Sequence, residues 1–301
     1  MGDSVGIVLR GVQTLRTDFL TTLKEAPKIW SEHMMPNTSD GEKETQLFGG
    51  TAPKVRKWVD ERQPGGLHAV TFDIVNERFE NSISVDIPSL ERDKIDFHRR
   101  NIKGLATRMM NYPFTGLANL RLLGATNLCW DGQPFFSTAH KFRGSGAQSN
   151  KLTQTGVTAA NVATDFYLAE KASLTWKDDQ GEIDDSAPYF TKWVIVHGFS
   201  MRQVLREVFE TEDLSTGGKN PLYGKAELRL DPRITGNGWI LENLGREVKP
   251  YGIQEEIPLR LSNTDPSSDE AFNRGSLKFG TEWRGQFFYG EPSCAILVGT
   301  L

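Results

Sequence analysis

The sequence is poor in the residues on which site chemistry usually depends. Only two cysteines occur, Cys129 and Cys294, far apart and in no metal-ligand spacing, which argues against a disulfide scaffold and suits a reducing compartment. We read both as free thiols. The five histidines, at 33, 68, 98, 140 and 197, form neither an HxxxH nor an HxH pair, so no metal and no cofactor is expected. An excess of basic charge is also missing: the formal net charge is -4 and the pI is near 5.8, which argues against a dedicated nucleic-acid binder and leaves room only for local contact with DNA. No stretch approaches the roughly 18 consecutive apolar residues of a membrane span. The first thirty residues are interrupted by Arg10, Gly11 and Arg16 and lack the apolar core and cleavage site of a signal peptide. No solenoid-type repeat is present. These absences imply a protein made and used in the cytoplasm.

What is present is an ordinary globular composition, 38% hydrophobic and 25% charged over 301 residues, enough for one large domain or two interlocked lobes. Val8, Val12, Leu15, Phe19 and Leu23 recur at spacings of three and four and predict an amphipathic helix over 5–24, ended by Pro27 and Pro36. His33 to Gly50 is polar and rich in turn residues, so it reads as an arm or linker that leaves the first helix tethered rather than integrated. Between 54 and 87, Val70, Phe72 and Ile74, then Phe79, Ile83, Val85 and Ile87, alternate with polar residues as strands do. With Gln63-Pro64-Gly65-Gly66 as its turn and Asn76-Glu77 as a competing one, the segment predicts a long hairpin. Such an arm would reach on the order of 50 Å and needs a neighbour, because isolated hairpins are marginal in water.

Pro88-Ser89 with Glu91 and Asp93 reads as a helix start, and Ile95, His98, Ile102, Leu105 and Met109 form one stripe that resumes at Leu117, Leu120 and Leu123. A helix of roughly 30 residues, kinked or broken at Pro113, is expected. Residues 126–156 read mainly as loop around Phe135-Phe136, followed by a helix over 158–176, a turn at 177–181, a strand over 192–197 and a helix over 200–211. Short strands at 226–230, 238–241, 275–279, 285–289 and 293–298 complete an α+β chain.

Catalytic patterns are weak. Gly198-Phe199-Ser200-Met201-Arg202 resembles a nucleophile elbow but lacks its last glycine, and no histidine follows His197 to complete the order Ser, acid, His. Ser200 with Gln203 fits a capping box instead. Cys129 and His140 could pair as nucleophile and base, but nothing in the sequence orients them. Asp178, Asp179, Glu182, Asp184 and Asp185 lack the spacing of a calcium loop and read as a solvated turn. No catalytic residue is assigned. Arg99, Arg100 and Lys103, on the long helix, could form a phosphate-facing strip without base specificity.

An arm, a long hairpin, a long helix, a glycine-rich loop, a helix-strand-helix unit and closing strands follow one another in the order of the Hong Kong 97-type capsid fold. Particular runs resemble the Mu-like major head protein family: Leu47-Phe48-Gly49-Gly50 before Arg56-Lys57-Trp58 and Glu61-Arg62; Phe72-Asp73-Ile74-Val75-Asn76; Phe79-Glu80-Asn81-Ser82-Ile83; Cys129-Trp130 and the run Asp131 to His140, DGQPFFSTAH; Gly238-Trp239-Ile240-Leu241; and Glu282-Trp283-Arg284-Gly285. The resemblance covers nearly the whole length, and DGQPFFSTAH is its most specific piece.

The resemblance implies an N-terminal arm over 1–46, an extended hairpin loop over 47–86, a peripheral domain with spine helix over 87–150 and 274–301, and an axial domain over 151–273. It implies a non-enzymatic major capsid protein that assembles through hexamers and pentamers into a virion head in the host cytoplasm. Its partners would be further copies of itself, a portal, a separate scaffolding protein, packaged double-stranded DNA and decoration proteins, with no membrane. Trp58, Arg62 and Phe72 on the hairpin are the expected assembly contacts, because aromatic and arginine side chains dominate interface energetics. An encapsulin-like compartment is the alternative within the fold, and a serine hydrolase around Ser200 the alternative outside it.

Overall fold

The computed structural model describes residues 2–25, 28–50, 58, 68–91, 95–213 and 217–301. Helix α1 (Gly2–Glu25) is followed by β1 (Met34–Thr38) and β2 (Lys43–Phe48), both inside the stretch whose polarity suggested a linker. Then come β3 (Val70–Val75), β4 (Glu77–Asp86), the short α2 (Ile87–Glu91), α3 (Ile95–Met110) and α4 (Tyr112–Leu123). The remainder is β5 (Lys151–Leu152), α5 (Ala159–Leu174), β6 (Trp193–His197), α6 (Arg202–Phe209), β7 (Ala226–Leu230), β8 (Trp239–Asn243), β9 (Tyr251–Asn263), α7 (Asp269–Arg274), β10 (Ser276–Tyr289) and β11 (Ala295–Val298). The fold is α+β.

Helix α1 forms because its apolar stripe is satisfied. Val8, Val12, Leu15 and Phe19 are buried in one cluster with Ile102 and Ala106 of α3 and with Val85, Leu277 and Phe279. The first helix is therefore integrated, which corrects the tethered reading: the polar residues after it hide two strands that carry it back onto the body. The spine is two helices with Asn111 between them, and Pro113 falls within the first turn of α4, where its missing N–H is no loss. Ser89 does not cap it. Ser89 lies inside α2, and its hydroxyl sits 2.6 Å from His98 Nε2.

Five strands in the order β5-β11-β8-β6-β7 make the largest sheet. Every residue of β6, β8 and β11 is buried, because both sheet faces are covered. Trp193, Ile195, Trp239, Leu241, Ile296 and Val298 face α5 and α6, whose Phe166, Leu205 and Phe209 close that side. Val194, Val196, Ile240, Ala295 and Leu297 face Leu117, Phe135, Phe136 and Tyr251. The C-terminal β11 thus lies in the same sheet as residues 193–243, between β5 and β8.

A second sheet has the order β1-β9-β10-β4, with β1 parallel to β9 and the other pairs antiparallel. Two expected short strands are here one: β10 runs from Ser276 to Tyr289, its register shifting around Arg284 against β9, a β-bulge that disguises continuity in the sequence. The 13-residue β9 was not expected at all.

Candidate assembly surface

A third, two-stranded sheet pairs β2 with β3, from Lys43 opposite Val75 to Phe48 opposite Val70. This corrects the expected hairpin in its partner. The alternating residues 70–86 are strands, but β3 pairs with β2, whereas β4 pairs with β10 along its whole length. Asn76 is the switch between the two sheets. Its buried side chain donates to Ser39 Oγ and the Gly41 carbonyl and accepts from Gln254 Nε2, while its backbone N–H donates to the Glu42 carbonyl.

Aromatic packing anchors the base of this hairpin. The Phe48 ring stacks on Trp130 with centroids 6.2 Å apart and meets Phe72 and Phe288 edge-on, and Gln46 Nε2 donates to Gln254 Oε1 at 3.0 Å. Beyond Phe48 the chain turns through Gly49 and Gly50, both at positive φ, and a side chain at Gly50 would run into the His68 carbonyl. The outward face of the two strands is bare, with Leu47 71% exposed and Val75 51%, and Trp58 between them in sequence is 66% exposed. Of the expected contacts, Trp58 is presented to solvent, Phe72 is half-buried against Phe48, and Arg62 lies outside the described residues, as does the turn at 63–66.

The basic strip is altered by a residue that local sequence reading missed. Arg99 donates to Asp18 of α1 at 2.6 and 3.2 Å, and Lys103 lies 3.7 Å from the same carboxylate. The Arg99 hydrogen bond, against the effect of burial, holds Asp18 below its ordinary range. Arg99 and Lys103 are thus partly neutralised within the chain, and Arg100 faces solvent.

Behind these surfaces lies a buried ionic hub that ties three remote segments together. Arg121 of α4 donates from Nε and Nη2 to the two carboxylate oxygens of Glu242 in β8 at 2.8 and 2.9 Å, and His33 Nδ1 lies 2.6 Å from Glu242 Oε2. Burial alone would push Glu242 up, but the Arg121 charge and His33 outweigh it and hold the carboxyl at about 2. The hub locks the segment entering β1, the spine and the large sheet into one unit.

A model of the Mu-like prophage major head subunit gpT family matches residues 10–174, which is α1 through α5, with the hairpin, the spine and the DGQPFFSTAH run. The chain belongs to that family. It is 26% identical over 125 residues to the major capsid protein of Escherichia phage Mu, covering 42% of this chain and 41% of the relative. It is 23% identical over 160 residues to the Mu-like prophage FluMu major head subunit of Haemophilus influenzae, covering 51% of each. The chain therefore spans about half the length of the curated relatives it matches, or less. In fold it resembles the capsid protein of bacteriophage JBD30, at TM-score 0.55 and 14% identity over 90% of this chain and 65% of that one. It also resembles the virus-like particle from Pyrococcus furiosus, at TM-score 0.54 and 10% identity over 95% and 98%. These likenesses show the Hong Kong 97-type capsid fold.

Within this head-subunit family member, the DGQPFFSTAH run acts as a structural clasp. His140 Nδ1 lies 2.6 Å from Asp131 Oδ2, and Nε2 faces the Phe135 carbonyl at 3.1 Å. Asn150 Nδ2 also donates to that carbonyl and to Ala295, while its Oδ1 accepts from the Ser137 N–H. With both imidazole nitrogens so engaged, no Cys129–His140 dyad forms. Burial pushes the Cys129 thiol well up, and its contact is the Gly290 carbonyl. The expected capping box at Ser200 is also absent: the Ser200 hydroxyl donates to the Gly236 carbonyl, Met201 occupies the cap of α6 without a side-chain bond, and His197 Nδ1 faces the Gly198 carbonyl.

Proposed function

We propose that the chain is the major capsid protein of a phage or prophage head, a non-enzymatic subunit that closes through hexamers and pentamers into an icosahedral shell around double-stranded DNA. The observation that carries this reading is the family match over the hairpin and spine, joined to a hairpin whose described strands pack one face on the body and leave the other exposed. An arm that is marginal alone gains its burial between subunits, so that ordering and assembly become one event.

In this reading residues 47–86 lie over an adjacent subunit, with Trp58 and Arg62 in the contact and Phe72 bracing the base. Residues 151–273 gather at the symmetry axes and 87–150 with 274–301 form the periphery, with two exchanges: β11 joins the sheet of residues 193–243, and β9 joins the sheet of β10 and β4. Arg100, with the partly neutralised Arg99 and Lys103, contributes a modest phosphate-facing strip on the inner surface. A portal, a separate scaffolding protein and decoration proteins complete the partners, and the shell is built in the bacterial cytoplasm. Among the described residues no helix is long and apolar enough to cross a membrane. The family match over residues 10–174 favours a phage head over a compartment for protein cargo, because the likeness to the virus-like particle is one of fold alone.

Sedimentation and electron microscopy of the purified chain, with scaffold supplied, test the reading: shells are expected. A chain that stays monomeric under all assembly conditions overturns it. Replacing residues 52–66 with a short Gly-Ser turn, which spares β2, β3 and β4, should leave a folded subunit that closes no shells.

A further inference from the structure

A groove of about 900 Å³ opens beside the base of the hairpin. Phe48 forms part of one wall, half-buried Trp130, Phe142 and Trp176 contribute aromatic surface, and the far rim is the turn that follows α5. Of the acids on that turn, Asp178, Asp184 and Asp185 line the groove and are at least partly exposed; Asp178 accepts from the Gln180 and Glu182 N–H groups, Asp184 is held by Ser186 and Arg246, and Asp185 faces solvent. The groove has cations of its own in Lys141, Lys177 and Arg246, but Arg246 is engaged by Asp184 at 3.4 Å and by Ser293 Oγ at 3.0 Å. The site is therefore an aromatic trough with an acidic lip, open among the described residues.

The same chain carries a segment of opposite character. Residues 54–58 read Lys54-Val55-Arg56-Lys57-Trp58, three cations beside a tryptophan with no acid among them. Trp58 is 66% exposed and is not among the residues lining the groove of its own chain.

We propose that the groove receives residues 54–58 of a second copy, with Trp58 entering the aromatic trough and Lys54, Arg56 and Lys57 facing the acidic turn. This rests on the shell reading and specifies where the hairpin of one subunit lands on the next. The match is electrostatic and aromatic at once: opposite potentials speed and orient the encounter, and a desolvated tryptophan with cations over aromatic faces supplies the anchor. Because the hairpin base walls the groove, each subunit offers both halves of the contact from one region, as a head-to-tail ring requires.

Two measurements on the full chain test this. In the first, Asp184→Lys with Asp185→Lys is expected to lower the initial rate of shell formation roughly tenfold at low salt, and adding Lys54→Glu, Arg56→Glu and Lys57→Glu in the same chain is expected to restore it. In the second, Trp58→Cys with Ile183→Cys is expected to give disulfide-linked oligomers on oxidation of assembled shells. Normal assembly of the groove variant, or intact shells of the cysteine variant without any cross-link, overturns this docking site while leaving the shell reading in place. Failure of the unaltered chain to assemble overturns both.

Discussion

The five-stranded sheet and the β2–β3 hairpin are made by one chain and solve opposite problems. In β6, β8 and β11 every residue is buried, and two helices close one face while the spine and the DGQPFFSTAH loop close the other. In β2 the burial alternates and never becomes complete, and Leu47 stands 71% exposed. The sheet is covered on both faces within the subunit, whereas the described strands of the hairpin are covered on one face alone. The proposed shell asks for both: a body that holds its shape alone, and an arm whose burial is deferred until a neighbour arrives.

That contrast can be broken or sharpened by measurement. The largest effect is expected inside the body, where Arg121→Met leaves Glu242 buried without its main counter-charge. The unassembled subunit should lose about 3–5 kcal/mol in urea unfolding, and an unchanged midpoint would remove the hub from the account of the body's rigidity.

A smaller loss is expected from pH. The Glu242 carboxyl is held at about 2 against an ordinary value of 4.5, so the stability it contributes is fully present above about pH 4.5 and is lost as the pH falls toward 2. Thermal melts should show this loss, of order 3 kcal/mol, and Glu242→Gln should flatten the acid limb.

The smallest effect on folding is expected at the arm. Leu47→Ser should shift unfolding of the subunit by no more than about 0.5 kcal/mol yet reduce shell yield in an assembly assay. Equal effects on both readouts would mean that the hairpin belongs to the body after all.

How much of this was legible in the sequence depended on the range of the contacts involved. The stripes of α1, the spine and α5, and the alternation of β3 and β4, are local patterns and were readable, as was the break near Pro113. β9 was not, because its burial changes from complete to alternating midway and Pro258 interrupts its apolar pattern. β10 looked like two strands because of its bulge. The pairing of β3 with β2 was hidden by the polarity of Lys43, Glu44, Thr45 and Gln46, which suits a strand in a two-stranded arm as well as a linker. The Asp18–Arg99 pair and the hub of His33, Arg121 and Glu242 join residues from remote elements, and no spacing rule reaches that far. At the surface, Trp58 was identifiable by residue type, but the acidic turn read only as solvated, since its place beside the hairpin base exists only in three dimensions.

The way β10 closes the second sheet bears on timing. β4 and β9 both pair with β10, and the His33–Glu242 contact spans 209 positions, so this is a topology of high contact order. During synthesis the hairpin emerges early, but the framework that aims it cannot form until the strand at 276–289 has left the ribosome. A nascent subunit is thus withheld from its neighbours by the order of its own strands. Under the proposed shell reading, joining of half-made chains is discouraged without any dedicated safeguard, because competence to associate waits until residues 276–289 have been made.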